Sequence, residues 1–373
     1  MRTIGKCPLI LLVLVLLAGF MVASLLLPDQ PYSDLENRPL AAMPAFSLED
    51  VLSGAFMKKA DDYVNDQLPL RDSLMMLGAL KDAALLKTER NGILHGRNGR
   101  LFEQADTLRP GAIPANLAAM NKLATATGLP VSLLMIPLPW QVYREDLPAL
   151  YTPSDAAALV CAIREDAGQV AWIDPLDALL QAKGSEPLYY RTDHHLTAAG
   201  ADVVYRALAD AWGLRPQQPD SLLESPGFYG SFYARAPTPL IKPDTLTFSL
   251  YNGIQVLIDG NDTGGLYDEA LLKGRSKYAA LLHNNPPRLT LINPEGEGVL
   301  LVLRDSYASA MLPAIVRHFA RVEAIDPRYY SDDLPALCAE QKVERILCIY
   351  GLNALTNDRN LPRLAASFSG SQH

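Results

Sequence analysis

Val299-Leu300-Leu301-Val302-Leu303 restricts the fold of this chain more than any other segment. An unbroken run of branched apolar residues, with no polar alternation, belongs in a strand covered on both faces. The same rhythm recurs in Val131 to Ile136, Val170 to Ile173, Arg321 to Ile325 and Arg345 to Ile349. Amphipathic patterns predict helices over 115–127, 153–167, 197–212, 307–319 and 333–342, between or after these runs. Short buried strands alternating with helices predict an α/β layer built on a parallel sheet. In such sheets ligands bind beyond the carboxyl ends of the strands, which is where chemistry is to be sought.

The flanking regions differ. Cys7 to Leu27 is an uncharged apolar run preceded by Arg2 and Lys6 and followed by Pro28, Asp29, Asp34 and Glu36. A helix needs roughly 20 apolar residues to cross a bilayer, and basic residues stay on the cytoplasmic side. The expectation is therefore an N-terminal transmembrane helix (1–28 as tail and anchor), with the N-terminus in the cytoplasm and the rest outside. A cleaved signal peptide, for which Val22-Ala23-Ser24 is a weak site, is the alternative. A region over 29–110 reads as a lead-in packed on the main domain. It has a helix from an N-cap at Ser47 to Asn65, a helix over 70–87, and a hairpin of 92–96 against 100–102. The main domain is 111–373. Within it, 215–290 is rich in Pro, Gly and Asn and reads as an insertion of hairpins over the sheet edge, with strands at 245–250 and 254–258.

A net charge of −8 argues against a nucleic-acid partner, which would want a basic stripe. Beyond Cys7 the chain has Cys161, Cys338 and Cys348, an odd set without paired spacing. Each sits in an apolar stretch and reads as a small buried hydrophobe. No cofactor motif and no metal-ligand set is expected.

Histidine is scarce, with 6 in the chain, and two are adjacent in Tyr189-Tyr190-Arg191-Thr192-Asp193-His194-His195-Leu196-Thr197, just before a helix. A carboxylate two residues before an imidazole can bond one ring nitrogen and leave the other free as a base. The same residue types also suit a helix start. Leu303-Arg304-Asp305-Ser306-Tyr307-Ala308 lies where the most apolar strand meets a helix. A serine there faces the crevice, with its own N–H and the next one at a helix N-terminus. Taken alone it is a helix cap. Together with Asp193 and His195 it becomes a nucleophile with a base and an orienting group. Gly-x-Ser-x-Gly is missing, so an α/β-hydrolase elbow is not indicated.

These motifs resemble a known family. Tyr190 to Thr197 with Gly200 is similar to the signature of the DHHW family, with Leu196 where Trp is usual. The Asp-x-His framework also resembles the periplasmic alginate O-acetyltransferases. Glu36-Asn37-Arg38-Pro39-Leu40, Asp66 to Asp72, Asn91-Gly92, Gly99 to Phe102, Arg304 to Ala308 and Asp326 to Tyr330 continue the likeness in the same order. The resemblance implies an SGNH-hydrolase-like fold, a flavodoxin-like parallel sheet with helices on both faces, circularly permuted so that the serine comes last.

It further implies Ser306 as nucleophile, His195 as base and Asp193 as its orienting acid. Tyr307, Asn285, His194, Tyr190, Arg191 and Arg328 are candidate oxyanion or substrate contacts, and Tyr189, Tyr330 and Trp140 candidate crevice walls. His283 reads as an exposed loop histidine, with support of the site as the alternative, and His95 in the hairpin reads as inert. The implied activity is acyl transfer, of an acetyl group by family likeness, to a cell-surface or secreted polysaccharide. The donor would be supplied by a membrane-bound O-acyltransferase. A carbohydrate esterase, a non-catalytic glycan-binding protein and, from Asp-His-His alone, a metal-dependent phosphoesterase are the alternatives.

Overall fold

The structure, a computed structural model, describes residues 8–104, 110–184, 186–366 and 368. Arg2, Lys6, Cys7 and His373 lie outside the described residues. The chain forms two compact units, Met1–Lys87 with Tyr233–Leu240, and Thr88–Phe232 with Ile241–His373. The boundary falls ahead of the 92–102 hairpin, which is part of the larger unit.

In the smaller unit, α1 (Pro8–Leu26) is a 19-residue helix without a charged residue, and Leu9 to Leu17, Met21, Val22 and Leu26 on it are exposed. Among the described residues no helix is long and apolar enough to cross a membrane. The transmembrane helix expected over 1–28 is therefore not supported by the described residues. After the short pair β1 (Tyr32–Ser33) and β2 (Arg38–Pro39) come α2 (Leu48–Ser53), α3 (Ala55–Asp66) and α4 (Arg71–Ala84). The single helix expected over 47–65 starts at its Ser47 cap but breaks at Gly54, whose φ of 79° is a left-handed stop. Asp66 joins helix to lead-in by accepting two bonds from Arg38, whose guanidinium holds its carboxyl down at about 2.

The larger unit opens with β3 (Glu89–Arg90), β4 (Ile93–His95) and β5 (Leu101–Glu103), a three-stranded antiparallel sheet. It continues with α5 (Ile113–Thr127), β6 (Val131–Ile136), α6 (Pro139–Val142), α7 (Ala156–Glu165), β7 (Ala171–Ile173), α8 (Leu176–Ala182) and α9 (Ala198–Trp212). Segment 215–290 supplies β8 (Ser221–Phe228), α10 (Ser231–Arg235), β9 (Asp244–Leu250), β10 (Gln255–Ile258) and β11 (Asn261–Asp262). Then come β12 (Arg288–Ile292), β13 (Val299–Arg304), α11 (Leu312–Ile315), β14 (Arg321–Ile325), α12 (Leu334–Gln341), β15 (Arg345–Gly351), α13 (Leu352–Asn357) and α14 (Asn360–Ala366).

The main sheet has 8 strands in the order β11-β10-β12-β14-β13-β15-β6-β7. From β14 to β7 every pairing is parallel. β12, β10 and β11 are antiparallel, so the sheet is mixed rather than wholly parallel. β10 turns back directly into β11, and only short helical turns lie between β11 and β12. Without a full crossover helix, a strand returns antiparallel. β6, β13 and β15 are buried at nearly every position, as continuous apolar runs require. The separate β8–β9 ribbon makes its own small core around Tyr190, Phe228, Leu246 and Phe248.

The helix expected over 307–319 is not continuous. A 3₁₀ turn at Ser306–Ala310, α11 and a second 3₁₀ turn at Val316–His318 take its place. Pro313 has no N–H to donate to a preceding turn, so one α-helix cannot run through it. Cys338 and Cys348 are buried as expected, whereas Cys161 is exposed on α7 because the helix turns it away from the sheet.

Candidate active site

The loop from Tyr189 to Thr197 is a tight reversal held at its base by the Tyr189–Leu196 bridge and by Tyr190 N–H to His195 O at 3.2 Å. Thr197 caps α9 by accepting the Gly200 N–H at 3.1 Å. Arg100, buried against the Tyr143 ring, donates to the Tyr189 and Tyr190 carbonyls at 3.2 and 3.4 Å. Asp244 clamps the middle of the loop, taking the Thr192 N–H at 2.9 Å, its hydroxyl at 2.6 Å and Arg191 Nε at 3.1 Å. Asp193 lies directly over Gly230, where an added Cβ would sit 2.2 Å from the Asp193 Cβ. Only glycine permits that approach.

Asp193 Oδ2 accepts the Ser231 N–H at 2.6 Å, and Oδ1 accepts His195 N–H at 2.9 Å and His195 Nδ1 at 2.5 Å. An ionised carboxylate only accepts, so Nδ1 carries the ring proton and Nε2 is left to accept. Nε2 lies 2.8 Å from Ser306 Oγ. Burial pushes the Asp193 carboxyl up. The charges of His195 and His194, with the His195 and Ser231 bonds, outweigh it and hold the group far below its ordinary range.

Two aromatic groups fix the imidazole plane. Tyr278 stacks on His195 at 3.7 Å and 14°, and its hydroxyl donates to the Ser306 carbonyl at 3.4 Å. His194 covers the other neighbourhood at 3.8 Å and is itself held by Ser231 Oγ at 2.9 Å. Asp193, His194 and His195 each bring a ligand atom within 4.8 Å of the others, a spacing that would suit an ion. Protein hydrogen bonds already occupy Asp193 Oδ1, both His195 nitrogens and His194 Nδ1.

On the serine side, Asp305 ends β13. Its carboxylate accepts the Tyr307 N–H at 2.8 Å and the Gly351 N–H at 2.7 Å, tying the ends of β13 and β15. Burial without a bonded cation raises its pKa to about 6 despite those two N–H groups. The Tyr307 N–H is thereby consumed and is not the oxyanion donor that a helix start would have offered. The Ser306 N–H has no partner among the described residues. Asn285 sits in a left-handed run, Leu282 to Asn285, with φ from 48° to 62°. Its Oδ1 accepts from Arg304 at 2.6 Å and Ser309 at 3.4 Å. Arg304 is buried, and desolvation lowers it to about 10. It sets the amide orientation, so the Asn285 NH₂ is the end left without a partner among the described residues.

Sequence reasoning thus named Ser306, His195 and Asp193, which the structure brings together, and His194 and Tyr307, which pack on them. Tyr190 and Arg191 are turned away. The Tyr190 hydroxyl bonds the backbone of Thr247 and Arg191 bonds Asp244. Arg328 chelates Asp326 at 2.9 and 2.6 Å, and Tyr189 and Trp140 are core residues. His283 bonds the Gly265 carbonyl. Tyr278, Asp244, Ser231 and Gly230 were missed. All four lie in the 215–290 segment or at its rim, where no periodic pattern distinguishes them.

Comparison with known proteins follows this geometry. Residues 93–225 match the family model of the SGNH hydrolase-like domain of the acetyltransferase AlgX. Residues 171–325 match that of the DHHW protein, a span holding Asp193, His195 and Ser306. The chain resembles both families. A DHHW family protein from Eubacterium siraeum superposes with TM-score 0.61 at 17% identity, over 74% of this chain and 96% of its own. Bacillus cereus PatB1, solved with a sulfonyl adduct, gives 0.59 at 17%, over 73% and 98%. At that identity the likeness establishes the fold, which is α/β and SGNH hydrolase-like. Curated protein sequences gave no match.

Proposed function

We propose that this protein is an extracytoplasmic serine-dependent acyltransferase that moves an acetyl group onto a polysaccharide hydroxyl. The observation carrying this reading is the continuous chain Asp193–His195–Ser306, at 2.5 and 2.8 Å. The match to the domain of an acetyltransferase supports the acetyl group, and the uncharged apolar run Cys7 to Leu27 after Arg2 and Lys6 is the sequence feature that motivates an exported location. The donor, on this reading, comes from a membrane-bound O-acyltransferase. The serine-last order is that of a circularly permuted SGNH domain.

In the first half-reaction Ser306 Oγ attacks the carbonyl carbon of an acyl ester while His195 Nε2 takes its proton. Asp193, kept ionised by its neighbours, stabilises the imidazolium. The Ser306 N–H and the Asn285 NH₂, both without partners among the described residues, are the donors proposed for the oxyanion. Collapse expels the donor alcohol, which takes the proton from His195 and leaves an acyl-serine. A sugar hydroxyl then loses its proton to His195, attacks the acyl carbon and releases Ser306, reprotonated by His195. Water in place of the sugar gives the esterase alternative with the same groups.

The test is labelling of the full chain by a sulfonyl fluoride, with release of nitrophenol from p-nitrophenyl acetate. Stoichiometric modification at Ser306, and loss of both signals in Ser306→Ala by roughly 10³-fold or more, are expected. An unlabelled Ser306 with no nitrophenol release sinks the catalytic reading and leaves a glycan-binding protein.

A further inference from the structure

The antiparallel extension of the sheet has two unlike faces. Val256, Leu289, Leu291, Val322 and Ala324 are wholly buried on the core side. The other face aligns Leu257, Thr290 and Glu323 in register across β10, β12 and β14. Glu323 is also wholly buried, accepting from Arg288 Nε at 2.9 Å, Thr290 Oγ1 at 2.9 Å and Arg321 Nε at 2.6 Å. A buried carboxylate between two arginines is a poor way to stabilise a sheet face, because desolvation offsets much of the attraction. What it does accomplish is orientation. Each guanidinium is fixed through Nε alone and remains about a third exposed, at 34% and 33%. Their terminal nitrogens make no further hydrogen bond among the described residues.

These two guanidinium groups line a groove of about 380 Å³, with Tyr329, Tyr330, Ser331 and Asp332 on one side. The Asp259-Gly260 turn of the β10–β11 hairpin forms another wall. Tyr329 is 61% exposed, with the Arg328 guanidinium 5.3 Å from the centroid of its ring. Free planar donors, an exposed aromatic face and rim carboxylates that accept are the groups that grip a ring of hydroxyls. Arg288 and Arg321 share Glu323, and Asp259 and Asp332 line the same groove, so it has no excess of positive charge and is not built for an anion. The strap from Asn285 to Pro287 runs between the groove and the 306–310 turn. Asn285 bonds Ser309, Pro286 accepts from Arg304, and Pro287 lines the groove.

We infer that this groove is a carbohydrate subsite, remote from Ser306, that holds an uncharged pyranose of the acceptor chain against Tyr329 and the paired guanidinium groups. The inference rests on the polysaccharide-acceptor reading and adds where the polymer is gripped. The experiment is retention of the full-length protein on immobilised exported polysaccharide from the cells that make it. Tyr329→Ala, a change at an exposed ring, should weaken retention about 10-fold with an unchanged unfolding midpoint, and Arg288→Gln should act in the same direction. Retention should survive high salt, which screens a charge-driven contact. Equal retention of wild type and Tyr329→Ala, no retention of wild type, or loss of it in high salt overturns the subsite. Ser306→Ala protein should still be retained, so failure of the groove and failure of the nucleophile are read in separate assays.

Discussion

The His195 loop and the Ser306 turn each bury one aspartate against backbone N–H groups, yet the two carboxyls titrate in opposite directions. Asp193 faces two imidazoles and is driven down; Asp305 bonds no cation and is driven up to about 6. Burial is similar in both, so the difference lies in what each carboxylate faces. The comparison separates a group whose charge takes part in chemistry from one whose oxygens organise backbone. Asp193 must be an anion whenever His195 gains a proton, whereas Asp305 works by joining the Tyr307 and Gly351 N–H groups.

The comparison is broken most directly at Asp193. Asp193→Asn keeps the shape but removes the charge and favours the wrong imidazole tautomer, so ester hydrolysis should fall by roughly 10³-fold or more. Steady-state kinetics with p-nitrophenyl acetate measures it, and a change under tenfold would mean that Asp193 does not orient the base.

A smaller effect is expected at Asp305, and its sign is opposite to that of Asp193. A carboxyl raised from 3.8 to about 6 binds its proton more tightly folded than unfolded. Its stabilising contribution is present at low pH and is lost as pH rises from about 4 to about 6, by on the order of 2–3 kcal/mol. Asp193, lowered, contributes stability that is lost as pH falls below its unfolded value. Urea midpoints of wild type and Asp305→Asn across pH 4–7 should diverge through that window, the wild type alone losing stability to this group. Parallel curves would show Asp305 to be unperturbed.

Tyr278 is expected to give the smallest effect. Tyr278→Phe keeps the stack on His195 and should change ester hydrolysis by less than about threefold. Tyr278→Leu loses the ring face toward the imidazolium and should cost about tenfold. Equal behaviour of the two variants would leave the ring no part in positioning the base.

Much of the sheet was legible because its strands are continuous apolar runs: Val131–Ile136 and Arg321–Ile325 fall where the residues alone put them. The Asp193–His195 contact was legible for a similar reason, since two residues of chain bring the groups within reach whatever the remainder does. Pro313, visible in the chain, was outweighed by the amphipathic pattern around it, and the helix over 307–319 proved to be three short pieces. Tyr190 and Arg191 sit beside the motif in sequence, but loop direction turns them to Thr247 and Asp244.

Local chain chemistry by itself therefore determined the α/β alternation, the apolar N-terminal segment and the candidate triad. Tertiary structure alone decided that Tyr278 reaches His195, that Arg304 turns the Asn285 amide, and that Arg288 and Arg321 share Glu323 on an open groove. The physical reason is range. Apolar runs and an Asp-x-His turn act over a few residues, whereas stacking, amide orientation and carboxylate sharing depend on segments that meet only when the sheet assembles.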